Sequence, residues 1–181
     1  MASNDEIGLR RGTVKLVAHN PQWAEYFRNE KQLLLKIMGK TVVDIRHIGS
    51  TSIPGMPAKP IVDILAAVKR LADVESFTED LIALGYADKG NGDVRGRRYF
   101  VKGGAENRTH HLNFCEMNSY FWTSHLAFRD YLERQPEAAK QYSALKRTLE
   151  SRFPRDRAAY TTGKEEFVRS VLNLAMNGPR S

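Results

Sequence analysis

The segment Pro60–Val68 is apolar on both faces apart from one residue, Asp63. A strand that presents apolar side chains in both directions belongs in the middle of a covered sheet. Strand alternation puts Ile61, Asp63 and Leu65 on one face and Val62, Ile64 and Ala66 on the other. An unpaired carboxylate buried there costs on the order of several kcal/mol. Asp63 must therefore face a cavity, a cation or a metal. A salt bridge to Lys or Arg is the plainer alternative. Mg²⁺ shared between this carboxylate and substrate phosphates is the more chemical one.

The loop before this strand sharpens the choice. Val42–Ile48 is rich in β-branched residues and reads as a strand. Gly49-Ser50-Thr51-Ser52 follows directly, and Pro54, Gly55, Pro57 and Pro60 keep the rest of the loop irregular. A phosphate site needs backbone N–H groups and hydroxyls converging on one spot, which a glycine and a tight turn permit. Taken alone, the four residues describe a Ser/Thr-capped turn. With Lys59 closing the loop and Asp63 just beyond it, they describe a candidate phosphate site.

The rest of the chain frames that pair. Residues 1–12 read as a flexible lead, and residues 13–178 as one domain. Thr13–Ala18 carries a weak alternation suited to a strand. Asn20 and Pro21 open a helix that buries Trp23, Phe27, Leu34 and Ile37 and stops at Gly39. Asp73 is placed to cap a second helix carrying Val74, Phe77, Leu81 and Leu84. Tyr86–Lys89 and Arg97–Lys102 form a hairpin around Gly90-Asn91-Gly92, and Thr109–Cys115 is a further strand. From Asn118 the pattern is helical. Trp122, Leu126 and Leu132 mark one helix. Tyr142, Leu145, Leu149 and Phe153 mark a second, after Pro136. A third, opened by Thr162-Gly163-Lys164-Glu165 as a capping box, carries Phe167, Val171 and Ala175. The fold class is α+β: a mixed sheet with helices packed on one face and a helical C-terminal half.

The run from Ile48 through Gly49-Ser50-Thr51-Ser52 and Lys59 to Asp63-Ile64 resembles the GrpB-like family, a branch of the nucleotidyltransferase superfamily that includes DNA polymerase beta. The likeness continues through Arg108-Thr109-His110-His111-Leu112 and His125–Leu132 to Tyr160-Thr161-Thr162-Gly163-Lys164. It implies a nucleotidyltransferase-like sheet, a bound nucleotide and Mg²⁺. It also implies phosphate contacts from Gly49, Ser50, Thr51, Ser52, Lys59, Lys146, Tyr160 and Lys164. Enzymes of this superfamily hold two Mg²⁺ ions on two carboxylates two residues apart. Here the second position is Leu65, which binds no metal. His111, facing the same side as Asn113, and Glu116 are the candidates to complete a metal site with Asp63. His111 also suits a general base. His110, on the opposite face, reads as a half-buried histidine bonded to backbone. Arg98 and Lys102 on the hairpin are candidates to line the same cleft.

Bulk properties narrow the partners. Twenty-eight Lys and Arg against 21 Asp and Glu leave a net charge of +7, which favours an anionic ligand. No continuous basic run or stacking motif supports nucleic acid, and no apolar run spans a bilayer. A polar N-terminus and a single cysteine, Cys115, point to the cytoplasm. Three functions follow. The first is transfer of a nucleotidyl group to a small acceptor, with Asp63 and His111 as catalytic residues. The second is a catalytically degenerate module that binds a nucleotide or a coenzyme-A-related ligand. The third, an RNA-binding accessory domain, rests on charge alone and ranks last.

Overall fold

The computed structural model describes residues 7–178. Its centre is a five-stranded mixed sheet in the order β1-β2-β5-β4-β3. The strands are β1 (Val42–Ile48), β2 (Val62–Val68), β3 (Tyr86–Asp88), β4 (Arg98–Lys102) and β5 (His110–Glu116). β2 pairs antiparallel with β1 and parallel with β5, so Asp63 lies beside Ile48 on one side and His111 on the other. β4 pairs antiparallel with β5 and with β3. This is the mixed-sheet α+β architecture expected from the sequence.

Two sets of helices use the two faces. Val62, Ile64, Ala66 and Val68 of β2, with Leu112 and Phe114 of β5, pack against α1 (Gln22–Met38) and α2 (Thr78–Ala83). Trp23, Leu34 and Met38 are the buried apolar side of α1. Its start is held by the Asn20 side chain, which accepts the Gln22 N–H at 2.9 Å. On the opposite face Leu65, Ala67 and Cys115 pack against Trp122 of α3 (Tyr120–Arg134). Ser119 caps α3 by accepting the Trp122 N–H. The remaining helices are α4 (Pro136–Arg152), α5 (Arg157–Thr162) and α6 (Glu165–Asn177). Helices α4 and α6 gather with α3 around Ile53, Met56, Leu132, Tyr142 and Val171, while Tyr160 of α5 packs with Val14 and Leu149.

Several local expectations are corrected. Thr13–Ala18 is not a strand: only Val17 makes a bridge, to Ala58, while Leu16 donates its N–H to Glu150 of α4. Val14 donates its N–H to the Pro154 carbonyl, so the segment is held between the helical half and the loop that leads into β2. β2 begins at Val62, because Pro60 has no N–H for a ladder. Asp73 lies inside a 3₁₀ turn and pairs with Arg70 at 2.6 Å. Thr162 ends α5, whose cap is Asp156, so no capping box opens α6. Of the expected lead, residues 1–6 lie outside the described residues. Ile7 packs on the core, and Leu9 bridges Arg108.

Candidate phosphate site

The site forms where β1 ends and β2 begins. Gly49 adopts a φ of +72°, and a Cβ there would stand 2.6 Å from the Asp63 carboxylate. Glycine is required on both counts: left-handed backbone and close approach. The next three residues make one 3₁₀ turn, and their hydroxyls divide the work. Ser52 donates to the Gly49 carbonyl at 2.6 Å, which closes the turn. Thr51 is buried and meets His47 Nε2 at 3.0 Å. Ser50 accepts from Lys146 Nζ at 3.0 Å and also contacts the Tyr142 hydroxyl. Thr51 and Ser52 thus build the loop, whereas Ser50 joins the cations.

Lys59, Lys146, Tyr160 and Lys164 line one cavity of about 280 Å³ together with Gly49, Ser50, Asp63 and Arg157. Lys146 comes from α4, Tyr160 from α5 and Lys164 from the α5–α6 junction, so the helical half supplies most of the charge. Lys59 and Lys164 flank the Tyr160 ring, their ammonium nitrogens 5.4 and 4.7 Å from its centroid. Lys146 is 2 % exposed and donates to the Ser50 hydroxyl and the Pro57 carbonyl. Burial, with Lys164, Arg147 and Lys59 nearby, pushes its ammonium down to about 7. Burial and the charges of Arg157 and Lys164 bring Lys59 down to about 8. Lys164 is shifted down by burial as well. The common cause is positive charge removed from water and lacking a matching set of acids.

Asp63 is the carboxylate that this cavity does contain. Its Oδ1 accepts from His111 Nδ1 at 2.8 Å. Burial pushes the Asp63 carboxyl up. The His111 hydrogen bond and charge, with Lys59 and His47, outweigh that and hold it below its ordinary range. His111 is 8 % exposed, and its Nε2 has no hydrogen-bond partner.

Of the three expected metal ligands, Asp63 and His111 meet, but Glu116 does not join them. Glu116 pairs in register with Val68, at the far end of the strand from the Asp63–His111 pair, and its carboxylate accepts the Leu71 N–H. Five residues along a strand is about 16 Å. Leu65 is fully buried against Trp122, and its neighbour across the ladder is Asn113, which donates to the Ile64 carbonyl. Leu65 and Asn113, the paired site-face positions two residues further along the ladder, are thus committed to other contacts. Among the described residues no group of three His, Cys, Asp or Glu side chains could hold a metal ion. The residues present do not fit a magnesium pair.

Arg98 is a second correction. Strand alternation turns it to the α1–α2 face, where it pairs with Asp88 and approaches Glu75. Lys102 follows it there and pairs with Glu30 of α1 at 2.8 Å. Arg97 instead reaches the site face, stacked 4.4 Å from the Tyr99 ring centroid and donating to Asn113 Oδ1 at 3.3 Å. His110 lies on the core face as expected, but it is buried rather than half-buried and its ring meets the Thr109 hydroxyl instead of backbone. Burial drives it down to about 4, so it stays neutral.

Residues unmarked in the sequence complete a second cavity, of about 350 Å³, on the other side of Asp63. Tyr99, Arg97, His125 and Phe128 line it, with Val168 and Leu172 of α6. Phe128 falls among the Trp122–Tyr131 aromatics, which read as core in the sequence, and His125 stands in the run that carries the family resemblance with no role assigned to it. The α3 spacing that puts them on one turn was visible, but nothing marked which turn faces a void. Arg157 borders both cavities and contacts the Tyr99 hydroxyl.

Comparison with known proteins places this geometry. The GrpB protein family matches residues 13–174. The glutamate-rich protein GrpB of Alkalihalophilus pseudofirmus is 41% identical over 92% of this chain and 98% of its own length. YqkA of Bacillus subtilis is 43% identical over 87% of the chain, which spans 46% of that protein. A dephospho-CoA kinase of Mycolicibacterium paratuberculosis is 29% identical over 92% of the chain, which spans 47% of it. The crystal structure of GrpB from Enterococcus faecalis superposes with a TM-score of 0.84, at 33% identity, covering 90% of this chain and 98% of that one. The chain belongs to the GrpB protein family.

Proposed function

We propose that this protein binds a phosphorylated small molecule, with the phosphate seated among Ser50, Lys59, Lys146 and Lys164. The observation that carries the reading is charge imbalance in an enclosed place. Three lysines and Arg157 meet one carboxylate, and that carboxylate is already paired with His111. Desolvated ammonium groups of this kind are stabilised when an anion arrives, and the arriving anion keeps its charge-assisted hydrogen bonds in a low dielectric. The same groups replace the neutralising role that metal ions play toward phosphates elsewhere. Binding is therefore the function favoured, rather than two-metal nucleotidyl transfer.

Transfer stays a second reading on one observation: Asp63 is held ionised at the head of β2, beside the phosphate cavity. A coenzyme-A-related ligand draws support from the match to a dephospho-CoA kinase.

The test is calorimetric titration of the whole chain with pyrophosphate, once in EDTA and once with Mg²⁺. Binding in EDTA is expected, weakened at least about tenfold by Lys164→Ala, the loss of one charge-assisted contact. Binding that appears only with Mg²⁺ would favour the transfer reading. No binding in either buffer sinks both.

A further inference from the structure

Arg97 is a cation held without an acid. Its Nε, Nη1 and Nη2 donate to the Asn91 carbonyl, to Asn113 Oδ1 and to the Gly92 carbonyl, all neutral acceptors. A guanidinium has five N–H groups, so one on each terminal nitrogen is left over. Asp93 acts on it through space, but among the described residues no carboxylate pairs with it.

Asp63 is the matching anion in the same cavity. Its Oδ1 accepts from His111, and its Oδ2, on the Gly49 side, accepts from no described residue. Tyr99 links the two charges. Its ring centroid lies 4.4 Å from Arg97 Cζ and 5.7 Å from the ring of His111, which holds Asp63. Arg157 contacts the Tyr99 hydroxyl and adds positive charge, but it is exposed, so solvent screens it. The rest of the lining is apolar or neutral. Phe128, Val168 and Leu172 border the cavity and are only half-buried, and burial lowers the His125 pKa, which keeps that ring uncharged.

These groups select a guest by elimination. A plain anion suits Arg97 and is repelled by Asp63. A plain cation suits Asp63 and is repelled by Arg97. A hydrocarbon covers the apolar wall and desolvates both charges without repaying their hydrogen bonds. A guest with one charge of each sign and an apolar group satisfies all three surfaces. A volume of about 350 Å³, near the lower bound for small-molecule sites, admits one small molecule.

We propose that this second cavity binds a free α-amino acid with an apolar side chain. The ammonium donates to Asp63 Oδ2, the carboxylate accepts from Arg97, and the side chain lies against Phe128, Val168 and Leu172. The site is separate from the phosphate reading, because Arg97, Tyr99, Val168 and Leu172 do not line the phosphate cavity.

Calorimetry on the whole chain tests this with L-phenylalanine and three truncated probes. Hydrocinnamate lacks the ammonium, phenethylamine lacks the carboxylate, and L-alanine lacks the ring. L-phenylalanine is expected to bind at least about tenfold tighter than each, the worth of one charge-assisted hydrogen bond or one buried side chain. Arg97→Gln should bring L-phenylalanine to within about threefold of phenethylamine, while its lead over hydrocinnamate persists. A far-UV circular dichroism spectrum matching the parent shows that the variant folds, and if it does not, the probe series on the parent decides alone. The inference is overturned if any truncated probe binds as tightly as L-phenylalanine, if nothing binds, or if folded Arg97→Gln keeps the full lead over phenethylamine. Pyrophosphate titrated into the same sample keeps the two readings apart: its binding without that of L-phenylalanine leaves the phosphate site standing and removes this one.

Discussion

Gly49 and Asp63 are the two residues on which the site turns. A methyl group at 49 collides with the Asp63 carboxylate and forces a left-handed φ on an L-residue. Gly49→Ala should cost about 1–3 kcal/mol, read as a lowered urea midpoint, and should weaken pyrophosphate binding with it. Asp63→Asn has the opposite sign for binding. It removes a like charge from the wall of the anion cavity, so pyrophosphate affinity in EDTA should rise by roughly 3- to 10-fold. A metal-dependent site would instead lose its ligand when this carboxylate goes. The residue scale was the most legible in sequence, because a lone Asp in an apolar strand and a glycine before three hydroxyls are local signals. What could not be read was their division of labour. Thr51 and Ser52 carry the same chemistry as Ser50, and only the turn of the backbone assigns them to His47 and Gly49.

At the scale of elements, the strands were read more accurately than their margins. Alternation along β5 sorted His111 and Asn113 from Leu112 and Phe114. It failed for Arg98 because the site face begins one residue earlier, at Arg97, and a hairpin with an irregular turn hides its register. The α5–α6 break was missed because Thr162 to Glu165 satisfies a capping pattern, while the real cap, Asp156, opens a helix of six residues that periodicity cannot resolve. Helix α1 is joined to the sheet by Glu30, which is 5 % exposed and accepts from Tyr86 at 2.9 Å and from Lys102 at 2.8 Å. Glu30→Ala strands a buried phenol and leaves the partly exposed Lys102 ammonium unpaired. It should cost about 1–3 kcal/mol in chemical denaturation, with no effect on phosphate affinity once folded protein is assayed.

Across the whole molecule, the helical half carries the charge and the sheet carries the carboxylate, so pH acts on stability and binding in opposite directions. Lys146 and Lys59 sit near 7 and 8 in the fold, against an ordinary 10.5 in the unfolded chain. Between those values the unfolded chain holds protons that the native one has released. The stability of the free protein should therefore rise with pH across that window, seen as a higher urea midpoint at pH 9 than at pH 7. Pyrophosphate affinity should fall over the same interval, because the anion is held by charged ammonium groups.

The packing around Leu65 bears on what this chain could become. Its side chain, with Ala67 and Cys115, forms the seat for Trp122 and so for the start of α3. Leu65→Asp should destabilise the protein by more than about 3 kcal/mol, measured as a melting shift, and should confer no Mg²⁺-dependent turnover. Gaining a metal-binding pair here would demand that strand and helix be rebuilt in concert, through intermediates less stable than either end. Position 65 is thus a lock: the start of α3 is seated on a hydrocarbon there, and a single change to an acid cannot open it.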